Sequence, residues 1–340
     1  MLAESESRQQ DACGRQVCRV PESCPFDCLA ITAPNPRAAA AYLDELVHRV
    51  GVSGKENTKE VLILAVSDPE GVRIGSGGGT LNAVLEIDQA LRAAKPTDDE
   101  SGPPAPAVEG LSAARVLLVH SGGDSQRSPT QCVCGKAWSA LNSCGDGTNS
   151  SNSTSNSTTR CNTPMDLLLD HLSRLFSGET PGSSGKPLDP GTLVVTACDV
   201  MLLIPPEVAA TADWSFDAQQ GVAGGVAGLA IAADAAKYAP NHGVYCLDGG
   251  GDVSAGEEIT PENTPGNPDG GPPEVAIDSG VVVFSGAATG ALATLAYSET
   301  FKGCTARGVA EGASALRLEL YSDLLLALKT GAGAGQDAEG

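Results

Sequence analysis

Hydrophobic positions in this chain gather into short unbroken runs separated by longer stretches of amphipathic spacing. The segment "FDCLAITAP" (residues 26–34) predicts a short strand, and "KEVLILAVSDPEG" (59–71) predicts a second. The run Val61–Val66 has no polar interruption, as expected of a strand buried on both faces of a parallel sheet. "ARVLLVHSGG" (114–123) and "GTLVVTACDV" (191–200) repeat that pattern, and "VAIDSGVVVFSG" (275–286) predicts a last strand.

Between these runs the spacing turns helical. In "NPRAAAAYLDELVHRVG" (35–51) Asn35 is placed as N-cap, Pro36 at the first helical position and Gly51 after the end. Leu81, Val84, Leu85, Asp88 and Leu91 follow helical spacing with one polar interruption. Thr163-Pro164 opens a helix carrying Leu168, Leu172 and Leu175. Strand and helix alternating at these lengths predict βαβ units, hence an α/β fold with a doubly wound, mostly parallel sheet of Rossmann-like type.

One domain is expected over residues 26–330, after a disordered N-terminal segment at 1–25. Residues 95–110 read as a loop, 142–163 ("GDGTNSSNSTSNSTTR" within it) as a disordered low-complexity insertion, 249–273 as a Gly/Pro/acid loop and 331–340 as a flexible tail. There is no internal repeat.

Charge narrows the range of partners. The chain of 340 residues carries 21 Lys+Arg against 42 Asp+Glu, a formal charge of −21. That argues against nucleic-acid or anionic-membrane surfaces, whose affinity rests on clustered cations. It also makes each cation near a glycine turn informative. No apolar run approaches the roughly 18 residues a bilayer span needs. The start "MLAESESRQQDACGRQ" has no secretory core, so a cytoplasmic protein with reduced thiols is expected. Cys13, Cys18, Cys24 and Cys28 crowd the start, but their gaps fit no common zinc spacing. Oligomeric state is not legible.

Two glycine turns are candidates for chemistry. "IGSGGGTLN" (74–82) places Gly75, Gly77, Gly78 and Gly79 between a strand and a helix, where backbone amides cradle anions. It lacks the Lys-Ser/Thr of a P-loop, and Thr80 stands where a dinucleotide fingerprint needs its third glycine. A tight packed turn is the alternative. In "HSGGDSQRSPTQCVCGK" (120–136), Gly122 and Gly123 let the backbone approach phosphate, Arg127 supplies a forked donor and Lys136 a movable point charge. Such a basic pair suits nucleotidyl transfer, where charge builds on the α-phosphate and on departing pyrophosphate. Asp199 ends its strand, where a lone acid can hold Mg²⁺ with phosphate oxygens or cap the next turn. Asn241, His242 and Asp278, in "NHGVY" and "DSGVVVFS", could hydrogen-bond sugar hydroxyls. Histidines and serines form no nucleophile-and-base set, so triad hydrolysis is not expected.

In this order, "DPEGVRIGSGGGTLNAV", "HSGGDSQRSPTQCVCGK", "TACDV", "PNHGVY" and "IDSGVVVFS" resemble the GDP-L-fucose pyrophosphorylase domain. That domain occurs as fucose-1-phosphate guanylyltransferase and at the N-terminus of L-fucokinases and of bifunctional fucokinase/GDP-fucose pyrophosphorylases. The resemblance implies a nucleotide-diphospho-sugar transferase core, Mg²⁺, and GTP with L-fucose 1-phosphate as substrates. It maps the family's glycine-Ser-Arg-Pro stretch onto Gly122, Gly123, Ser125, Arg127 and Pro129, its lysine onto Lys136 and its strand-end acid onto Asp199.

The sequence departs from the wider class at Cys198, where glycine is common, and at the Ser/Asn insertion after Lys136. Relatives continue into a β-helical region, and some into a kinase domain. This sequence reaches Gly340 with neither, so fucose phosphorylation by that route is not expected. A non-catalytic nucleotide- or sugar-binding domain, and a transferase for another base or sugar, remain alternatives.

Overall fold

The computed structural model describes residues 13–52, 57–94, 109–121, 135–141, 163–177, 186–200, 225–234, 244–247, 253–254 and 274–325, with isolated positions between 202 and 237. Among the described residues, nine strands form one mixed sheet: β1 (Cys13–Pro21), β2 (Cys28–Ala33), β3 (Thr58–Ser67), β4 (Val116–His120), β5 (Leu193–Ala197), β6 (Val226–Asp234), β7 (Val244–Leu247), β8 (Val253–Ser254) and β9 (Glu274–Phe284). The spatial order is β1-β3-β2-β4-β5-β9-β7-β8, with β6 also paired to β9.

The α/β class expected from the hydropathy pattern is the one observed. Its centre, β3-β2-β4-β5, is parallel, and β1, β6, β7 and β9 add antiparallel pairings around it. The parallel strands are the uninterrupted apolar runs, because both of their faces are covered. In β2, Cys28 and Ala30 pack toward one layer and Leu29 and Ile31 toward the other. β3 splits in the same way, Leu62 and Leu64 against Val61 and Ile63.

The first layer holds α2 (Gly75–Ala94), α3 (Glu109–Ser112) and α5 (Gly286–Ala296), and the second holds α1 (Pro36–Val50) and α4 (Pro164–Ser177). Helix α1 starts as expected, with the Asn35 side chain accepting from the Ala38 amide at 2.9 Å. The polar interruption in α2 is Asp88. Fully buried, it accepts from Arg92 Nε (2.8 Å), the Tyr297 hydroxyl (2.7 Å) and the Leu111 amide (3.3 Å), which ties α2 to α3 and to the end of α5.

The N-terminal expectation is corrected in part. Residues 13–21, placed by sequence in a disordered segment at 1–25, form edge strand β1 along the whole of β3. Cys18 and Val20 face the α1 layer while Val17 faces solvent, so the strand has only one buried side and its hydrophobic signal is weak. Within the expected loop 249–273, residues 253–254 pair with β7, and the rest lies outside the described residues. So do 142–162 and 331–340.

Candidate functional site

Parallel strands deliver their carboxyl ends to one edge of the sheet. Register places Ala33 of β2 beside Ser67 of β3, and His120 of β4 beside Ala197 of β5. Along that edge lies a cavity of about 250 Å³, lined by Thr32, Ala33 and Pro34 after β2, Asp68 after β3, His120 and Ser121 at β4, and Gly75, Ser76 and Gly79 of α2. Arg73, Arg317 and Glu319 complete the wall.

The glycine stretch is not a loop ahead of the helix. It is the first turn of α2, and its reason is close packing. Residues 316–320 cross over it as a strap. The Leu318 carbonyl accepts from the Gly77 and Gly78 amides (2.9 and 3.2 Å), and the Ile74 carbonyl accepts from the Leu318 amide (2.9 Å). A Cβ at Gly75 would lie 2.2 Å from the Leu318 oxygen, where φ is also +78°. The Glu319 carboxylate accepts from the Ser76 hydroxyl at 2.9 Å and the Ser76 amide at 3.4 Å. The anion position expected at this helix start is therefore closed by the chain's own carboxylate and carbonyl. Gly77 and Gly78 serve packing, while Gly75 and Gly79 reach the cavity wall.

Thr80, the residue that defeated the dinucleotide pattern, belongs to a polar relay. Its hydroxyl donates to the Ser76 carbonyl (2.9 Å) and so can only accept from His120 Nε2 (3.0 Å). Thr32 Oγ1 accepts from the Ser121 amide (3.2 Å) and donates to His120 Nδ1 (3.3 Å). This arrangement accommodates the neutral imidazole with its proton on Nε2. Burial acts in the same direction, pulling the His120 pKa down to about 4. Asn82 joins the end of β3 to α6 (Ala306–Ala310), donating to the Ser67 carbonyl and accepting from the Ala306 amide.

Two predicted site residues meet at the next strand, β5. Lys136 starts a 3-10 turn, Lys136–Trp138, after Gly135 at φ +75°. Its Nζ lies 2.6 Å from Oδ2 of Asp199, just beyond β5. The turn is anchored from behind, where Trp138 packs on Tyr42 and under the Arg49 guanidinium. Arg49 in turn pairs with Asp166, which caps the start of α4 through the Thr163 amide and hydroxyl. Cys198, beside Asp199, donates its thiol to the Ser121 carbonyl, and burial pushes its pKa up to about 12, so it is not a nucleophile at neutral pH.

Gly122, Gly123, Ser125, Arg127, Asn241 and His242 lie outside the described residues. Asp278 sits at a bulge in β9, where Leu229 pairs with Val281 but Ala230 pairs with Asp278. Its Oδ1 accepts from the Tyr245 hydroxyl and the Gly280 amide, both at 2.8 Å, and it is not part of the cavity wall. Asp68, His120, Thr32 and Glu319 were not singled out from sequence. For Asp68 the signal was present, since it follows its strand just as Asp199 follows β5.

An α/β sheet with a cavity outside the carboxyl ends of its parallel strands, and a Lys–Asp pair at the same edge, places the chain in the open α/β class, where ligands sit at that edge. The comparisons are more specific. A family model described as "Fucose pyrophosphorylase domain" matches residues 108–337, more than half of the chain, and the chain belongs to that family. The match begins after the glycine stretch.

Among curated relatives, a bifunctional fucokinase/GDP-fucose pyrophosphorylase of Arabidopsis thaliana is 35% identical over 134 residues, 37% of this chain and 12% of that protein. Fucose-1-phosphate guanylyltransferases of Mus musculus and Homo sapiens are each 33% identical over 116 residues, 34% of this chain and 17% and 16% of theirs. The aligned stretch thus spans less than a fifth of each relative. No solved structure matches. Among the described residues, no helix is long and apolar enough to cross a membrane.

Proposed function

We propose that this domain is a nucleotidyltransferase that forms GDP-L-fucose and pyrophosphate from GTP and L-fucose 1-phosphate. The observation that carries the proposal is the Lys136–Asp199 pair, 2.6 Å apart, at the carboxyl end of β5 in a member of this family. A phosphate oxygen of the sugar phosphate attacks the α-phosphorus of GTP. The new P–O bond forms as the bond to the bridging α–β oxygen breaks, and pyrophosphate leaves with that oxygen.

Such chemistry needs positioning and charge stabilisation rather than a covalent intermediate. Lys136 is a mobile cation for the departing phosphates, held in reserve by Asp199 until substrate arrives. Arg127 is the expected second cation. Asp199 fits Mg²⁺, which binds through one or two carboxylates plus substrate phosphate oxygens. When bound, the ion would neutralise charge on the triphosphate. His120, held neutral with both ring nitrogens bonded to threonines, lends shape to the cavity without adding charge.

The test is incubation with GTP, L-fucose 1-phosphate and Mg²⁺ with pyrophosphate detection. Release that depends on both substrates is expected. Nucleotide binding without release would replace this reading with that of a non-catalytic binding domain. Release with another base or sugar would redirect its specificity.

A further inference from the structure

The cavity at the ends of β2, β3 and β4 is a poor place for phosphate. Its α2 amides at Gly77 and Gly78 are taken by the Leu318 carbonyl, and Glu319 occupies the remaining anion position at Ser76. Two carboxylates, Asp68 and Glu319, line it, and its two arginines are engaged with them, Arg73 beside Asp68 and Arg317 bonded to Glu319. Beyond β5 lies Lys136, a cation suited to a triphosphate, beside Asp199. Asp68 follows β3, which is three strands away in the order β3-β2-β4-β5. At a strand spacing of roughly 4.8 Å, that separation is about 14 Å, close to the span of an extended nucleoside triphosphate. With the phosphates at β5, the base falls on the cavity.

Asp68 is placed to read it. It occupies the N-cap position of the 3-10 turn Pro69–Gly71, yet its side chain makes no capping hydrogen bond. Among the described residues Arg73 is the charge that balances it, and its carboxyl is half-buried in the cavity wall. A carboxylate offers two parallel acceptors and no donor. Of the common bases, guanine alone presents two adjacent donors on its pairing edge, N1–H and the 2-amino group. Adenine and cytosine place an acceptor beside their amino group, and uracil has one donor between two acceptors.

Building on the nucleotidyltransferase reading, we infer that Asp68 is the base-selecting residue, accepting N1–H and the 2-amino group of guanine through its two carboxylate oxygens. The side chain then excludes adenine by leaving the carboxylate facing the N1 lone pair. It does so without touching the reacting phosphates.

The test is calorimetric titration of the full chain and of Asp68→Asn with GTP, ITP and ATP, the fold of the variant being checked by circular dichroism. ITP keeps N1–H and lacks the 2-amino group. For the unmodified chain GTP is expected to bind about tenfold tighter than ITP, one charge-assisted hydrogen bond apart, and more than about a hundredfold tighter than ATP. In the variant GTP is expected to weaken by about 10- to 100-fold and to come within about threefold of ITP, with ATP little changed.

A uniform loss for all three nucleotides would overturn the inference, because it would place Asp68 against the ribose hydroxyls that all three share. Unchanged GTP-over-ATP preference in a folded variant would overturn it equally. The two readings fail separately. Pyrophosphate release with intact discrimination in the variant sinks only this one, whereas guanine-selective binding without release sinks only the transferase reading. Absence of nucleotide binding would sink both.

Discussion

Replacing His120 by Gln should change how stability depends on pH far more than it changes stability at neutral pH. Burial holds the imidazole neutral between the Thr32 hydroxyl at Nδ1 and the Thr80 hydroxyl, an acceptor, at Nε2. Its pKa falls from 6.5 to about 4. Unfolded, the same side chain takes up a proton near 6.5. Between those values the unfolded state binds more protons than the native state, so stability is present above 6.5 and is lost as pH falls toward 4.

At 1.36 kcal/mol per pH unit the loss amounts to about 3 kcal/mol. Gln can donate to Thr80 and accept from Thr32 but takes up no proton. Asp68, pushed up to about 6 by burial, acts in the opposite sense over the same window, gaining stability as it protonates. It is common to both proteins and cancels in the difference, as do Arg73, Arg317 and Glu319 around the cavity.

Urea unfolding of both proteins at pH 7, 6, 5 and 4 measures that difference directly. The variant is expected to lose stability at pH 7 through imperfect packing, then to overtake or approach the unmodified protein by about 3 kcal/mol at pH 4. Parallel pH profiles would refute the neutral-relay assignment.

The glycines of α2 should separate by environment. Gly75→Ala, at φ +78° and 2.2 Å from the Leu318 oxygen, is expected to cost about 2–4 kcal/mol in thermal or urea unfolding. Gly79→Ala, whose nearest neighbour is the His120 ring edge at 3.4 Å, should change stability by no more than about 1 kcal/mol. An equal penalty at both sites would contradict the packing account of the stretch. Lys136→Met should lower pyrophosphate release about 100-fold while shifting stability by less than about 1 kcal/mol, since its partner Asp199 is 40% exposed. Loss of stability with retained turnover would make the pair structural instead.

How much of this was legible in the sequence follows from where each residue's interactions lie. The parallel strands were legible because burial on both faces leaves unbroken apolar runs such as Val61–Val66, and α1 because Asn35, Pro36 and Gly51 act locally at its ends. Edge strand β1 was not, because half of its side chains face solvent and its pairing partner is some forty residues away. The joining of Lys136 to Asp199 was foreseen as a pairing of roles, a cation and a strand-end acid, rather than as a contact. Their separation of 63 positions carries no local signal.

The glycine stretch shows the same division most sharply. Four glycines in five residues demand close approach, but the sequence does not say what approaches. The answer lies some 240 positions away, in the strap Leu316–Leu320, where Glu319 reaches Ser76. That carboxylate and the Leu318 carbonyl occupy the amides of Ser76, Gly77 and Gly78, so the motif meets its own chain at these positions. Along the sheet edge there remain a cavity whose two carboxylates are matched by Arg73 and Arg317 and, beyond β5, the Lys136–Asp199 pair; the nucleotide proposed above would lie with its base over Asp68 and its phosphates toward Lys136.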